Sequence, residues 1–342
     1  METCELIKCE VLWSRKCKLK CSYCAMVDKR RNTPTLDQWK EGFRQLKRLG
    51  CSFAAFYGAE PLEEFEKLPE IIQFSEDMDI NTTVITSGIS DYADDKLKTL
   101  YKHGLRSITA SYDDISTDLS SRKKSSLALT MIDHFRSFGP VRDVAVVVTL
   151  TRKNFRNLPD IIKDMSAKGI WTFFDLIHED RGQPGSKVFT TDASKDLYFQ
   201  HEDWADLAEV LTQVQRMKKD YLCHAGIQFI ETLKIVAASM IVGSRSPYLW
   251  NCSDYGCFPS WVTIDCDGIV YPCDDFQPRD ENVPKVEAWN LLKNWPAFTK
   301  LWQKIVAARC PGCLWNTHID AHLIKRGMLP LTDYIHGTEG KK

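Results

Sequence analysis

The sequence predicts an α/β protein, a partial (β/α)6 barrel followed by a small Cys-rich C-terminal domain. Three observations predict it. Short apolar, β-rich runs alternate with amphipathic stretches of helical period from residue 5 to about 178. Those runs are almost continuously apolar, as strands of a parallel sheet buried on both faces are. Beyond residue 250 the texture changes to a cysteine-rich, hairpin-like region. Six β-then-α units are too few for a closed eight-stranded barrel, which leaves an open one.

The strands fall at residues 6–13, 51–57, 82–86, 107–111, 144–150 and 170–177. The first helix has Thr35 as N-cap, Trp39, Phe43 and Leu46 on one face, and Gly50 just past its end. Further helices are expected over 69–78, 94–103, 126–138 and 158–168. Residues 181–191, with Gly182, Pro184 and Gly185, read as a loop or boundary. Two helices follow at 202–218 and 226–242. Residues 258–264 and 268–271 read as strands around a turn at Asp267-Gly268, and 295–308 as a helix. The organisation expected is a barrel over 1–190, a helical connector over 191–249 and a Cys-rich domain over 250–342.

The chain has 342 residues, 44% hydrophobic and 27% charged, which is the composition of an ordinary globular protein. Forty-five basic against 46 acidic side chains leave a net charge of −1, so nothing suggests a nucleic-acid partner or a basic membrane face. The longest apolar run, from Ile235 to Val242, is broken by Ser239 and is too short to cross a bilayer. The start, Met-Glu-Thr-Cys-Glu, has no basic region leading into an apolar stretch, and export is not expected.

Thirteen cysteines, an odd number in a long chain without a signal, point to metal rather than disulfides. Cys17, Cys21 and Cys24 follow the first strand directly, three thiolates within eight residues. A four-iron cluster normally takes four Cys, so a three-Cys loop leaves one iron open to a small molecule. Zinc would want a fourth ligand, and the nearby sequence shows no His. The loop stands where (β/α) enzymes place their chemistry, at the C-terminal end of a strand.

A second group lies beyond Trp250. Cys257 and Cys273 flank the Gly268 turn, and Cys310-Pro-Gly-Cys313 is a tight two-thiol bite. Together they make a four-ligand site for either zinc or a four-iron cluster, and spacing does not choose between them. Cys252 rivals Cys257 as a ligand, and Cys266 reads as a packed thiol. Cys4, Cys9, Cys51 and Cys223 lack metal spacing and read as small buried hydrophobes. His178, His224, His318 and His322 are candidates for contact with substrate or protons.

Cys-x3-Cys-x2-Cys with an aromatic residue, Tyr23, before the last Cys resembles the signature of the radical S-adenosylmethionine (SAM) superfamily. In that family the open iron chelates SAM, and an electron from the cluster splits it to a 5′-deoxyadenosyl radical that abstracts a substrate hydrogen. The resemblance extends over residues 5–180. Gly58-Ala59-Glu60-Pro61, ending the second strand, is similar to the family's Gly-Gly-Glu-Pro segment, with Ala59 departing from the second Gly. Ser87 in a polar–Gly turn, Ser111 in a Ser-Tyr-Asp-Asp run, and Thr149 with Asn154 fall where relatives contact SAM. Several of these polar residues also suit plain caps or turns.

The pattern Cys-x9–15-Gly-x4-Cys followed by Cys-x2-Cys resembles the auxiliary-cluster domain of the SPASM and Twitch subgroups. No further Cys occurs between Leu314 and Lys342, so the resemblance is to the shorter Twitch type with one auxiliary cluster. It implies two [4Fe–4S] clusters and SAM, with Cys257, Cys273, Cys310 and Cys313 holding the second cluster. It also implies a flavodoxin or ferredoxin as electron donor and, since oxygen attacks an open cluster, a cytoplasmic site. Net oxidation of a small polar substrate, sugar-like or nucleoside-like, is the first expectation. Maturation of a ribosomally made peptide is the second, and only sixteen residues before Cys17 leave no room for a leader-binding module. A non-catalytic iron–sulfur carrier or redox sensor is the alternative of another class.

Overall fold

The computed structural model describes residues 6–113, 119–178, 191–243, 260–272 and 285–309. Six strands, β1 Lys8–Ser14, β2 Phe53–Gly58, β3 Asn81–Thr86, β4 Ser107–Ser111, β5 Asp143–Leu150 and β6 Trp171–Leu176, lie side by side in chain order. Every neighbouring pair among them is parallel. The connections are α1 Leu36–Arg48, α2 Leu68–Asp77, α3 Ala93–Lys102, α4 Leu119–Ser137 and α5 Leu158–Ala167. This is the open (β/α)6 barrel expected from the alternation of apolar runs.

Local chemistry accounts for α1. Thr35 and Gln38 form a reciprocal capping box, Gln38 N donating to Thr35 Oγ1 at 3.2 Å and Thr35 N to Gln38 Oε1 at 2.8 Å. Gly50, at φ +100°, takes the left-handed position after the helix, where a side chain would be strained. Trp39, Phe43 and Leu46 are fully buried, and burial of each is worth about 1.5–3 kcal/mol. Trp13 bridges them to the sheet, its ring 5.1 Å from Trp39 and 5.7 Å from Phe56.

Two further helices, α6 Asp203–Met217 and α7 Ile227–Ile241, pack together after the barrel. Between them residues 222–224 run along the free edge of β6. Thr172 N donates to Leu222 O and His224 N to Thr172 O, each at 3.0 Å.

At the other edge the sheet continues. β7 Trp261–Ile264 pairs parallel with β1, and β8 Ile269–Tyr271 and β9 Val286–Glu287 add antiparallel strands, giving the order β6-β5-β4-β3-β2-β1-β7-β8-β9. The described strands of the Cys-rich region therefore share the barrel's sheet. The Asp267-Gly268 turn sits between β7 and β8 as expected, with Gly268 at φ +82°. A last helix, α8 Leu291–Arg309, packs on α1. It begins four residues ahead of the helix expected at 295, and Pro296 lies within its first turns. α4 likewise starts seven residues ahead of the expected 126. In α4 the polar first turns hide the start from an apolar-periodicity reading, and in α8 Pro296, a residue that ordinarily marks a boundary, does so. Among the described residues no helix is long and apolar enough to cross a membrane.

Candidate active site

The C-terminal ends of β1–β6 open onto one cavity of about 330 Å³. Its wall includes Cys17, Cys21 and Cys24 from the loop after β1, Gly58 at the end of β2 and Ala59 just past it, Ser87 just past β3, Ser111 at the end of β4 and Asp113 two residues on, and Thr149 from β5. Residues scattered over more than 130 positions of sequence thus meet in one place, as the barrel topology requires.

The three cysteines are free thiols, each partly exposed. Cys24 N donates to Cys21 O at 3.2 Å, making a tight turn, and Leu19 N points at Cys17 Sγ at 3.3 Å. Tyr23 turns its hydroxyl to Asp113 Oδ2, tying the loop to the end of β4. Burial, with Asp113 beside it, pushes the Tyr23 phenol well above its ordinary value, so it stays a donor.

Asp113 is itself held from behind. Thr149 N donates to its Oδ1 at 2.9 Å, and Asn154 Nδ2 donates to its backbone oxygen. Asn154 Nδ2 also reaches Thr149 O at 2.9 Å, while its Oδ1 accepts from Thr151 N and Oγ1 at 2.7 and 3.0 Å. Both ends of this buried amide are spent inside the protein, and it does not line the cavity. Replacing Asp113 with Ala is expected to lower stability by about 1–3 kcal/mol, because Thr149 N then loses its acceptor. Asp113→Asn, which keeps an acceptor, is expected to lose less. Urea denaturation of both variants measures the difference.

Gly58 ends β2 at φ +133°, and a Cβ there would stand 2.4 Å from Ser14 O. Ala59 N donates to that same oxygen at 2.9 Å. Ala59 is not among the residues with positive φ, so a methyl is tolerated where the family motif has its second glycine. Glu60 and Pro61 are buried and do not line the cavity. Glu60 is fully buried, its Oε1 accepting from Leu62 N (3.2 Å) and Thr86 Oγ1 (2.6 Å), its Oε2 from Ser87 N (2.9 Å) and Ser87 Oγ (2.6 Å). It fastens the end of β2 to the end of β3, and Pro61 opens the buried 3-10 turn Pro61–Glu63 beneath. Ser87 lines the cavity, but its hydroxyl hydrogen is committed to Glu60.

Burial raises the Glu60 pKa against the pull of its four donors. A raised folded-state pKa means stability that is complete below the unfolded value, about 4.3, and lost as pH rises through the folded one. The stability advantage of wild type over Glu60→Gln is therefore expected to shrink as pH rises above about 4.3. Denaturation curves of both proteins between weakly acid and neutral pH check this. An advantage that grows with pH would contradict it.

Deeper in the barrel a few polar groups stand in a largely apolar wall. Lys8 Nζ and Glu10 Oε1 pair at 3.2 Å, and Lys8 lies 4.4 Å from the centre of the Trp261 ring. On the β6 side stand Asp175, His178 and His224, the last stacked on Phe173 at 4.1 Å. Sequence reading named both histidines as candidates and passed over Asp113, Asp175, Lys8 and Glu10. Asp113 had a signal, the Ser-Tyr-Asp-Asp run, while the others lie on strands where only sheet geometry sets the inward face. Cys9, Cys51, Cys223 and Cys266 are buried. Cys4, Cys252, Cys257, Cys273, Cys310, Cys313, His318 and His322 lie outside the described residues.

The donor set fits an iron–sulfur cluster. Among the described residues no three His, Cys, Asp or Glu side chains form a group suited to a single metal ion. A four-iron cluster places each thiolate on its own iron, so its ligands stand farther apart than those of a single ion. Cys17, Cys21 and Cys24 would hold such a cluster through three thiolates, at the edge of a cavity lined by Gly58, Ala59, Ser87, Ser111 and Thr149. The structure is thus a (β/α) barrel with a three-thiol loop at its mouth. Residues 11–165 match the Radical SAM superfamily. That family implies SAM and a [4Fe–4S] cluster. The fold is also that of Streptococcus suis SuiB bound to S-adenosylmethionine (TM-score 0.63, 17% identity, 89% of this chain and 68% of that one). It is shared by anSMEcpe with bound AdoMet (TM-score 0.53, 15% identity, 86% and 83%).

Proposed function

We propose that this protein is a radical SAM enzyme that removes a hydrogen from a substrate seated in the barrel and completes its net oxidation with a second cluster. The observation that carries this reading is the meeting of Cys17, Cys21 and Cys24 with Gly58, Ser87, Ser111 and Thr149 on one cavity wall. When bound, cluster and SAM supply one-electron cleavage to a 5′-deoxyadenosyl radical. The chain's own residues orient and enclose. Backbone at Gly58 and Ala59, with the rim hydroxyls of Ser87, Ser111 and Thr149, forms the cradle for SAM. Glu60 and Asn154 act behind it, one fixing the β2 and β3 ends and the other fixing Asp113, which holds Tyr23 over the loop.

The barrel below, with Glu10, Asp175, His178 and His224 on its wall, receives the substrate. Its size suits a small-molecule group. A small polar compound, sugar-like or nucleoside-like, is the first reading. A peptide whose side chain enters the barrel is the second, favoured by two proteins of this fold: SuiB bound to precursor peptide SuiA, and anSMEcpe with bound AdoMet and a Cp18Cys peptide. The organisation follows the sequence: barrel to residue 190, helical connector to 249, and an auxiliary-cluster domain of Twitch type from 250, with Cys257, Cys273, Cys310 and Cys313 as ligands. A flavodoxin or ferredoxin delivers the electron, in the cytoplasm.

The test is anaerobic reconstitution with iron and sulfide, addition of SAM and dithionite, and quantification of 5′-deoxyadenosine. Deuterium transfer from labelled candidate substrates into that product then separates small molecules from peptides. A brown, fully loaded protein that neither binds nor cleaves SAM would sink the enzyme reading in favour of an electron carrier.

A further inference from the structure

We propose that Asp265 is a positioning residue for the cysteine loop, holding both of its stems with one carboxylate from the C-terminal part of the sheet. Arg15 directly follows β1, two residues ahead of Cys17. It is fully buried and meets Asp265 in a two-point contact, Nε to Oδ1 at 3.0 Å and Nη2 to Oδ2 at 2.7 Å. Arg30, six residues beyond Cys24, brings its Nη1 to the same Oδ2. Asp28 completes the arrangement. Its N–H donates to Arg15 O at 3.2 Å, and its carboxylate accepts from Arg30 Nε at 2.8 Å and from Arg30 N at 2.7 Å.

Residues 16–29, which contain all three cysteines, form neither helix nor strand. Their entry and exit are therefore fixed mainly by this cluster of two guanidinium and two carboxylate groups. Asp265 is 2% exposed and stands immediately after β7, where its Oδ1 also accepts from Cys266 N at 2.8 Å. A second link runs alongside, Thr33 N donating to Cys266 O at 3.3 Å. Arg15 leaves its Nη1 buried without an acceptor, a poor arrangement for stability alone. Apolar groups of similar volume commonly stabilise such positions better than buried ions do. What the ions supply is a fixed direction: a planar fork on a carboxylate defines where the loop leaves the sheet.

The carboxylate thus links the loop to the β7–β8 hairpin, the region to which the second cluster was assigned above. That the loop carries chemistry rests on the proposed function; the hold on its two stems does not. The experiment is amide hydrogen exchange on the full chain, with and without reconstituted iron and sulfide, comparing wild type with Asp265→Asn and Arg30→Gln. In Asp265→Asn, exchange within residues 16–29 is expected to accelerate at least roughly tenfold while α6 and α7 keep their rates. Iron loss to a chelator is expected to quicken by a similar factor. Wild-type exchange in residues 16–29 would overturn the proposal, as would accelerated exchange with unchanged iron loss. If Asp265→Asn loosens the whole chain, Arg30→Gln decides, since Arg30 is partly exposed. Acceleration confined to the loop in that variant upholds the role, and none overturns it. Loop acceleration in a protein whose wild type never cleaves SAM would retire the proposed function and leave the hold on the loop standing.

Discussion

Joint replacement of Cys17, Cys21 and Cys24 by Ala is expected to abolish 5′-deoxyadenosine formation, by at least roughly 10³-fold, while leaving the protein folded. The two halves of this expectation have separate causes. The thiols are partly exposed on an irregular loop and belong to no strand or helix, so their removal opens little cavity in the core. The loop's stems remain fixed through Arg15, Arg30 and Asp265, and Tyr23 still reaches Asp113. With the ligands gone, however, no iron is held at the mouth of the barrel, because the rim of Gly58, Ala59, Ser87, Ser111, Asp113 and Thr149 has no thiol to replace them. Iron analysis adds a second readout. With an auxiliary cluster on Cys257, Cys273, Cys310 and Cys313, the variant should retain about half the wild-type iron and stay brown. A colourless variant would mean that the loop held all of it.

Gly58→Ala is expected to be the most damaging single methyl in the site, lowering stability by about 3 kcal/mol or more. Two effects add. At φ +133° an L-residue is strained whatever the space around it, and the new Cβ would stand 2.4 Å from the backbone oxygen of Ser14. That oxygen cannot swing away as a side chain would. It accepts from Ala59 N, and Arg15 follows it. Relief would require β1 and β2 to part where their register already shifts, between Leu12 and Ser14. Displacement there moves the first stem of the cysteine loop, so iron binding should fall together with the melting temperature. Ala59→Gly is the matched control. Position 59 has no positive φ, and its stability should change by no more than about 1 kcal/mol. Calorimetry on the three proteins tests the pair.

These two sites show how unevenly the sequence carried its meaning. The cysteine loop was legible because everything it needs lies within eight residues, and a metal cluster imposes its spacing directly on the chain. The barrel was legible for a similar reason: a two-residue period and a 3.6-residue period are local properties, and Thr35, Gly50 and Gly268 mark their turns by local backbone chemistry. Ala59, a departure from the family's motif in sequence, is unexceptional in three dimensions because its backbone is ordinary. Glu60 and Asn154 carry the opposite lesson. Both sit in the right motifs, yet their polar atoms face inward and are consumed by Thr86, Ser87, Leu62, Thr151 and Asp113. A motif gives a residue's address along the chain, whereas the direction of its side chain depends on strands far away in sequence.

By itself, then, the sequence determined the open β/α barrel, the thiol loop after the first strand and the radical SAM resemblance, because each rests on contacts or spacings within a few turns of chain. The tertiary structure alone decided that β7 extends the barrel sheet beyond β1 and that Asp265 grips Arg15 across 250 positions. It alone decided which polar residues face the cavity and which stand behind it. Those are properties of side-chain direction and long-range pairing, which become defined only when strands distant in sequence pack against one another and exclude water between them.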